Sequence, residues 1–334
     1  MNLLPFENLN RKILTKQDTT SNPDYGKFPH DRSIEELIHY GVINLNKPEG
    51  PTSHQITDYV KKILKIKKAG HSGTLDPKVT GCLPIAFEDA TKIVQTLLTA
   101  GKEYICLMHI HEKRNKNEIV KVINEFVGTI TQLPPIRSAV KRRNRERTIY
   151  YIDILDIEGQ NVLFKVGCQA GTYIRKLCHD MGLKLNTHAH MAQLIRTKAG
   201  PFKDKNWHTM QELTDAYEFY KEGNEEELKK IILPIETATE HLAKIWITDS
   251  TVDPICHGAE LHVPGIAKLH EDIKRNETVA IMTLKNELIA LGISKLNSKE
   301  ILTKKQGSAV STKKVFMKRD TYPKYEKDGN NSHN

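Results

Sequence analysis

No stretch of this sequence approaches the ~20 consecutive apolar residues that cross a bilayer, and mean hydropathy is -0.49. No membrane span is expected. The opening MNLLPFENLNRK lacks a basic segment followed by an apolar core, so no secretory signal is expected either. Cysteine is sparse: Cys82, Cys106, Cys168, Cys178 and Cys256, five in 334 residues, with no CxxC pair. An odd, scattered set argues against a disulfide framework or a zinc ribbon and fits a reducing compartment. The expectation is a cytoplasmic protein whose cysteines are small core residues. Neither a GxxxxGK[ST] phosphate loop nor a dinucleotide GxGxxG occurs. HIH at 109–111 and HAH at 188–190 are candidate metal pairs, but neither has further ligands at metal spacing in the sequence. No metal and no cofactor are expected.

What the chain does have is positive charge. Lys+Arg exceeds Asp+Glu by 50 − 41 = +9, and the pI is about 9.1. A basic surplus favours polyanion partners through counterion release. The charge is clustered in KKILKIKK (61–68) and RSAVKRRNRER (137–147). Each run reads as a solvated face when taken alone. Two such knots flanking glycine-rich loops favour nucleic acid.

The length suggests two domains, or one large domain with an appendage. Residues 1–32 are polar and read as an arm, ordered only where something holds it. GVINLNKPEGPTS reads as a short strand and a Pro/Gly turn. A helix then begins at Ser53, with Ile56, Tyr59, Val60, Ile63 and Leu64 on one face and Gly70 as its stop. CLPIAF, KEYICLMHIH and NVLFKVGCQ read as strands, the last with Val162, Phe164 and Val166 on one side. Asp89 can cap a helix carrying Ile93, Val94, Leu97 and Leu98, and Thr172 can cap the helix after AGTY. With no sustained βαβ repeat, the fold class is α+β with a mixed or mostly antiparallel sheet flanked by helices. Around YKEGNEEELKK the composition turns acidic and helical. From Lys244 the chain is β-rich, with a hairpin at Lys285-Asn286. The polar tail EKDGNNSHN is expected to be disordered.

AGHSGTLDPKVTGCLP (69–84) sets one carboxylate, Asp76, between a glycine-rich turn and a proline. Pro77 fixes its own φ and pushes Asp76 out of the helical region. That arrangement presents a side chain. It also makes an ordinary turn, so spacing leaves catalysis and chain reversal both open. An aspartyl-phosphate loop is excluded, because there the Asp precedes the glycine turn and here it follows.

GHSGTLDPKVTGCLP resembles the catalytic-aspartate motif of the TruB-type pseudouridine synthases. LNKPEGPTSH (45–54) resembles the family's N-terminal motif, KEY (102–104) its tyrosine motif, GTYIRKL (171–177) its arginine motif and LIRTKAGPF (194–202) its later leucine-arginine motif. These five motifs fall in family order over roughly residues 33–235. QLPPIRSAVKRRNRERTIYYIDIL, HGAELHVPGI and VFMKRDTYPK resemble the archaeal and dyskerin-like branch. Ile195 stands where that branch usually has a second arginine, and NTHAHM replaces a more glycine-rich run.

The resemblance implies an arm over 1–32 packing on a PUA domain, a catalytic domain over 33–240, the PUA domain (a small RNA-binding β-barrel) over 244–320 and a disordered tail over 326–334. It implies an isomerase that turns uridine into pseudouridine in rRNA or tRNA, including the TΨC-loop uridine of tRNA, guided by box H/ACA RNA. The implied partners are RNA (rRNA, tRNA and guide RNA) and the small protein subunits of the H/ACA particle. Asp76 takes the catalytic role, Arg175 the ion-pairing role and Tyr104 the stacking role. Tyr173, Leu194, His71, Lys141, Arg142 and Arg143 are implied to bind substrate, and Gly258 and Ala259 are candidates for RNA contact in the PUA domain. Lys47 and Pro48 read as scaffolding. A non-catalytic RNA scaffold is the competing class, but it would need none of Asp76, Tyr104 and Arg175. A metal-dependent RNA hydrolase lacks a ligand cluster.

Overall fold

The structure is a computed structural model, and it describes residues 2–134 and 143–324. The chain divides into two units. The first combines the opening nine residues with Gly41–Leu233, and the second combines Asn10–Tyr40 with the chain from Pro234 onward.

The first unit is built on one long sheet. Its strands run in the order Ile232–Pro234, Gly41–Lys47, Thr80–Phe87, Ala189–Ala199, Lys102–Ile110, Asn161–Cys168, Arg145–Glu158 and Gly128–Gln132. The long pairings are antiparallel. Thr80–Phe87 meets Ala189–Ala199 in parallel at Thr80↔Ile195 and Gly81↔Arg196. This mixed sheet with flanking helices is the α+β architecture the sequence predicts. Alternation places Val162, Phe164 and Val166 in the core, each fully buried. They meet Ile119 and Ile123 of the helix Lys116–Asn124, and Leu177, Cys178 and Met181 of the helix Ile174–Lys184.

Four local expectations are corrected. The helix Ser53–Leu64 ends five residues before Gly70, at Lys65 in the left-handed conformation (φ 53°), and Gly70 belongs to the short strand Ala69–His71. Tyr59 is 41% exposed and sits at the edge of the apolar face. Thr172 is not the cap of the helix Ile174–Lys184. Its hydroxyl donates to the Gln169 carbonyl at 2.7 Å, closing a turn, and Tyr173 holds the cap position. Asp89 makes no side-chain cap, because the segment Glu88–Ile93 is a 3-10 turn that runs into the helix Val94–Thr99.

The second unit is a curled seven-stranded sheet ordered Ile13–Thr15, Ile266–His270, Ala243–Ile247, Thr278–Met282, Leu288–Ser294, Ser308–Val315 and Leu261–His262. Its core includes Ile245, Ile247, Val252, Leu269, Ile281 and Val310. The arm is held here by Ile13–Thr15 pairing with His270–Lys268. The predicted turn is present: Asn286 adopts φ 67°, and Thr283 donates to the Glu287 carbonyl at 2.9 Å. The tail 326–334 lies outside the described residues. All five cysteines are free and buried. No helix among the described residues is long and apolar enough to cross a membrane.

Candidate active site

Asp76 both turns the chain and presents its side chain. Its carbonyl accepts from Val79 N at 2.9 Å, so Asp76-Pro77-Lys78-Val79 is a closed β-turn with proline at the second position. Its side chain projects outward and is 49% exposed. The loop is pinned from behind. Lys47 is fully buried, and its ammonium donates to the carbonyls of Pro48 (2.8 Å), Pro77 (3.1 Å) and Val79 (3.0 Å). Burial pushes the Lys47 pKa down, and the nearby Asp76 charge pulls it back up. Ser53 Oγ accepts from Leu75 N at 2.9 Å and donates to Leu75 O at 3.2 Å. Gly50 N donates to Pro77 O at 3.0 Å. The sequence LNKPEGPTS thus acts as the clamp for GTLDPKV, as the scaffolding reading of Lys47 anticipates.

Two glycines are required here. Gly73 adopts φ 126°, and Gly81 adopts φ 105°. A Cβ on Gly81 would lie 2.3 Å from the Arg196 carbonyl, so the parallel approach of the two strands depends on its absence.

Arg175 comes from the first turn of the helix Ile174–Lys184, and its Nη2 donates to Asp76 Oδ2 at 2.7 Å. The two side chains are 59% and 49% exposed. An exposed pair of this kind contributes at most about 1 kcal/mol to stability. Its geometric effect is to fix the direction of the carboxylate. Tyr104 lies on the strand Lys102–Ile110, half-buried, directly opposite Arg196 in the pairing with Ala189–Ala199. Burial raises the phenol pKa and the Arg196 guanidinium opposes this. The phenol is therefore neutral at physiological pH.

These groups line one cleft of about 630 Å³ with Leu194, Tyr173, Met191, Leu98 and Lys102. Leu194 is buried beside it (8% exposed). The backbone of Tyr173 is fixed by Gln132, whose side chain accepts from Tyr173 N at 2.9 Å and donates to Tyr173 O at 3.1 Å. Next to Tyr104 in the chain, Glu103 accepts from Tyr151 Oη of the strand Arg145–Glu158 and from Thr197 Oγ1 (2.8 Å) of the strand Ala189–Ala199. That buried cross-strand contact fixes the Tyr104 strand against the Leu194 strand.

The structure therefore brings together Asp76, Tyr104, Tyr173, Arg175 and Leu194. His71 is next in sequence to the cleft-lining Ser72 but is not itself in the lining. Its ring meets His54 edge-on at 5.0 Å, and Nδ1 accepts from Gly73 N at 3.4 Å. Burial first, and then electrostatic repulsion from the His54 and Arg196 side chains, pushes its pKa down to about 4. Arg143 is exposed and outside the cleft lining. Lys141 and Arg142 lie outside the described residues. Gly258 and Ala259 follow the helix Asp249–Cys256 in the second unit. Gly258 is exposed with φ 86°, and Ala259 O accepts from Thr312 Oγ1 at 2.6 Å.

The lining adds two cations that lie inside motifs quoted from the sequence but were given no role there. Arg196 is 2% exposed and donates to Cys82 O (2.7 Å) and Gly73 O (3.2 Å). Lys102 is 5% exposed and donates to Leu97 O and Ala100 O, both at 2.7 Å. Burial and the Arg196 charge push its pKa down to about 7. Among the described residues no three His, Cys, Asp or Glu side chains are gathered for a metal.

Comparison with known proteins accounts for nearly the whole chain. Residues 61–174 match the TruB family pseudouridylate synthase N-terminal domain, and 175–240 match the tRNA pseudouridylate synthase B C-terminal domain. Residues 243–316 match the PUA domain, and 3–57 match the DKCLD (NUC011) domain. A protein of Methanopyrus kandleri named probable tRNA pseudouridine synthase B is 55% identical over 322 residues, 96% of this chain and 95% of that one. The protein of the same name from Nanoarchaeum equitans is 53% identical over 96% of this chain and 92% of its own. Among solved structures, a chain of a Cbf5-Nop10-Gar1 complex superposes with TM-score 0.93 at 55% identity, over 97% of this chain and 99% of that one. A chain of an H/ACA RNP bound to a substrate RNA containing 2'-deoxyuridine gives 0.91 at 53%, with the same coverage.

Proposed function

The chain belongs to the TruB family of pseudouridine synthases, and from that premise we propose that Asp76, Arg175 and Tyr104 carry its chemistry. The enzyme isomerises uridine to pseudouridine in RNA. It works within an H/ACA ribonucleoprotein, where a guide RNA selects the uridine and small protein subunits assist. The proteins it resembles are solved with Nop10 and Gar1 and with substrate RNA.

The reaction breaks the bond from ribose C1′ to N1 and makes one from C1′ to C5. The C5 proton is lost and N1 gains one, so no electrons are exchanged and the atoms balance within the nucleoside. The target must leave its stack, at a cost of a few kcal/mol. Stacking on the Tyr104 ring recovers about 1–3 kcal/mol, with Leu194 against the base. The neutral phenol suits stacking, since a phenolate would carry buried charge. Asp76 meets the sugar-base junction as an ionised carboxylate. Arg175 holds that carboxylate in place through its 2.7 Å contact as the RNA closes over the cleft.

The observation that carries this reading is the 2.7 Å Arg175–Asp76 contact in a cleft walled by Tyr104 and Leu194. The catalytic domain expected over 33–240 is then carried by Gly41–Leu233 of the first unit, and 244–320 is the RNA-binding PUA module, with Gly258 and Ala259 as RNA contacts. His71, Tyr173, Lys141, Arg142 and Arg143 complete the substrate surface. A cytoplasmic location fits five cysteines that are all free and buried. The reading is tested by incubating the chain with a uridine-containing substrate, with and without guide RNA and partner proteins, and separating the product nucleosides by chromatography. Pseudouridine formed only with the guide and partners is the expected result. Pseudouridine at a tRNA uridine with the chain alone would show that the guide is dispensable, and none under any condition would refute the enzyme.

A further inference from the structure

The two His-x-His stretches have no part in the cleft, and each lacks further ligands in the sequence. The sheet supplies what the sequence does not. In the pairing of Lys102–Ile110 with Ala189–Ala199, His109 stands opposite His190, and His111 N donates to His188 O at 2.8 Å. Because strand side chains alternate, His109 and His111 share a face, as do His188 and His190. The ring centroids lie 5.1 Å apart for His111 and His190, 5.4 Å for His109 and His190, and 6.1 Å for His111 and His188. His111, His188 and His190 are exposed, so an ion can reach them from solvent.

The closest pair already has a chelate's spacing. His111 Nε2 and His190 Nδ1 are 2.9 Å apart, sharing a hydrogen. Two imidazole nitrogens at about 2.0–2.1 Å from one ion, at angles of about 90–110°, stand about 2.9–3.4 Å from each other. An ion in place of the shared hydrogen sits to one side of the line between the two nitrogens, so both rings must turn toward it. His109 is the natural third ligand. Its Nδ1 is held by Asn161 Oδ1 at 2.8 Å. That is the outer contact that fixes a metal-binding imidazole and leaves Nε2 for the ion. No three such donors converge yet among the described residues, so the site is open: two imidazoles stand at chelate spacing, and His109 brings a third with its ring centroid 5.4 Å from that of His190.

We propose that His111 and His190, joined by His109, bind one divalent first-row transition ion of the kind imidazole favours, with zinc as the probe. The ion would staple together the two strands that carry Tyr104 and Leu194. This inference is independent of the assignment of the catalytic residues.

The test uses the full, tag-free chain stripped with a chelator and then titrated with Zn²⁺ by calorimetry. Wild type takes up one ion per chain. H111A and H190A each weaken binding at least tenfold, while H54A, at the separate His54–His71 pair, leaves it unchanged. Zinc at about 100 times its Kd raises the wild-type melting temperature on the order of 5 °C, and H111A/H190A shows no such rise. These substitutions are on the surface, and circular dichroism checks that the variants are folded. If H111A/H190A binds zinc with wild-type stoichiometry and affinity, or if the loss follows H54A instead, the proposal is wrong.

Discussion

Replacing Lys47 with methionine tests whether the Asp76 loop is held by a buried cation. Lys47 is fully buried, so its ammonium never meets RNA directly. It donates to three carbonyls, at Pro48, Pro77 and Val79, and the last two belong to the turn that Asp76 opens. A buried carbonyl that loses its donor costs about 1–3 kcal/mol. Methionine preserves the stem and removes the charge, which relieves the desolvation that lowers the Lys47 pKa. The net loss is then about 2–4 kcal/mol, below the simple sum of three deserted acceptors. For a unit of this size that is a fall of roughly 5–15 °C in melting temperature. Turnover suffers more than stability implies. The freed loop no longer fixes the carboxylate against Arg175, and a displacement of about 1 Å costs on the order of 100-fold in rate. RNA affinity stays near wild type. Calorimetry, single-turnover assays and filter binding read the three quantities. A Lys47→Met enzyme that melts within about 2 °C of wild type and turns over at the wild-type rate would refute the clamp.

Two further outcomes follow from the site. Tyr104→Ala removes the stacking surface and lowers kcat/KM by about 10- to 100-fold, equivalent to about 1–3 kcal/mol. Tyr104→Phe keeps the ring and loses far less, so equal losses in the two variants would make the phenol, and not the ring, the active part. His71 has a folded pKa of about 4, against 6.5 in the unfolded chain. Between those values the unfolded state takes up a proton that the folded state refuses, so stability contributed by His71 is full above pH 6.5 and is lost as pH falls toward 4. His71→Gln therefore flattens the acid side of the stability curve. His270, also held near 4, keeps part of the slope. An acid limb unchanged by the substitution would mean that His71 protonates freely in the folded protein.

Much of the fold was legible because its signals are local. The alternation of Val162, Phe164 and Val166 and the Asn286 turn carry their reasons within a few residues. The Asp76 loop was legible for the same reason: glycines, an aspartate and a proline in one run. Where local readings failed, a second local interaction had won. Thr172 closes a turn onto Gln169 and so is not free to cap the next helix. Lys65 takes the left-handed position that the sequence offered to Gly70. Long-range partners were hidden altogether. Arg196 serves the cleft through carbonyls 114 and 123 residues away in sequence, so no spacing rule reaches it. HIH and HAH lie on separate segments, and only the strand register shows that they meet.

The most direct measurement is pseudouridine formation by Asp76→Asn, assembled with guide RNA and partner proteins, beside its affinity for the same RNA. Asparagine keeps the shape of the side chain and a polar contact for Arg175 but cannot supply the charge. The account expects no detectable pseudouridine and RNA binding close to wild type. Turnover near the wild-type rate would place the chemistry on some other group and end the assignment.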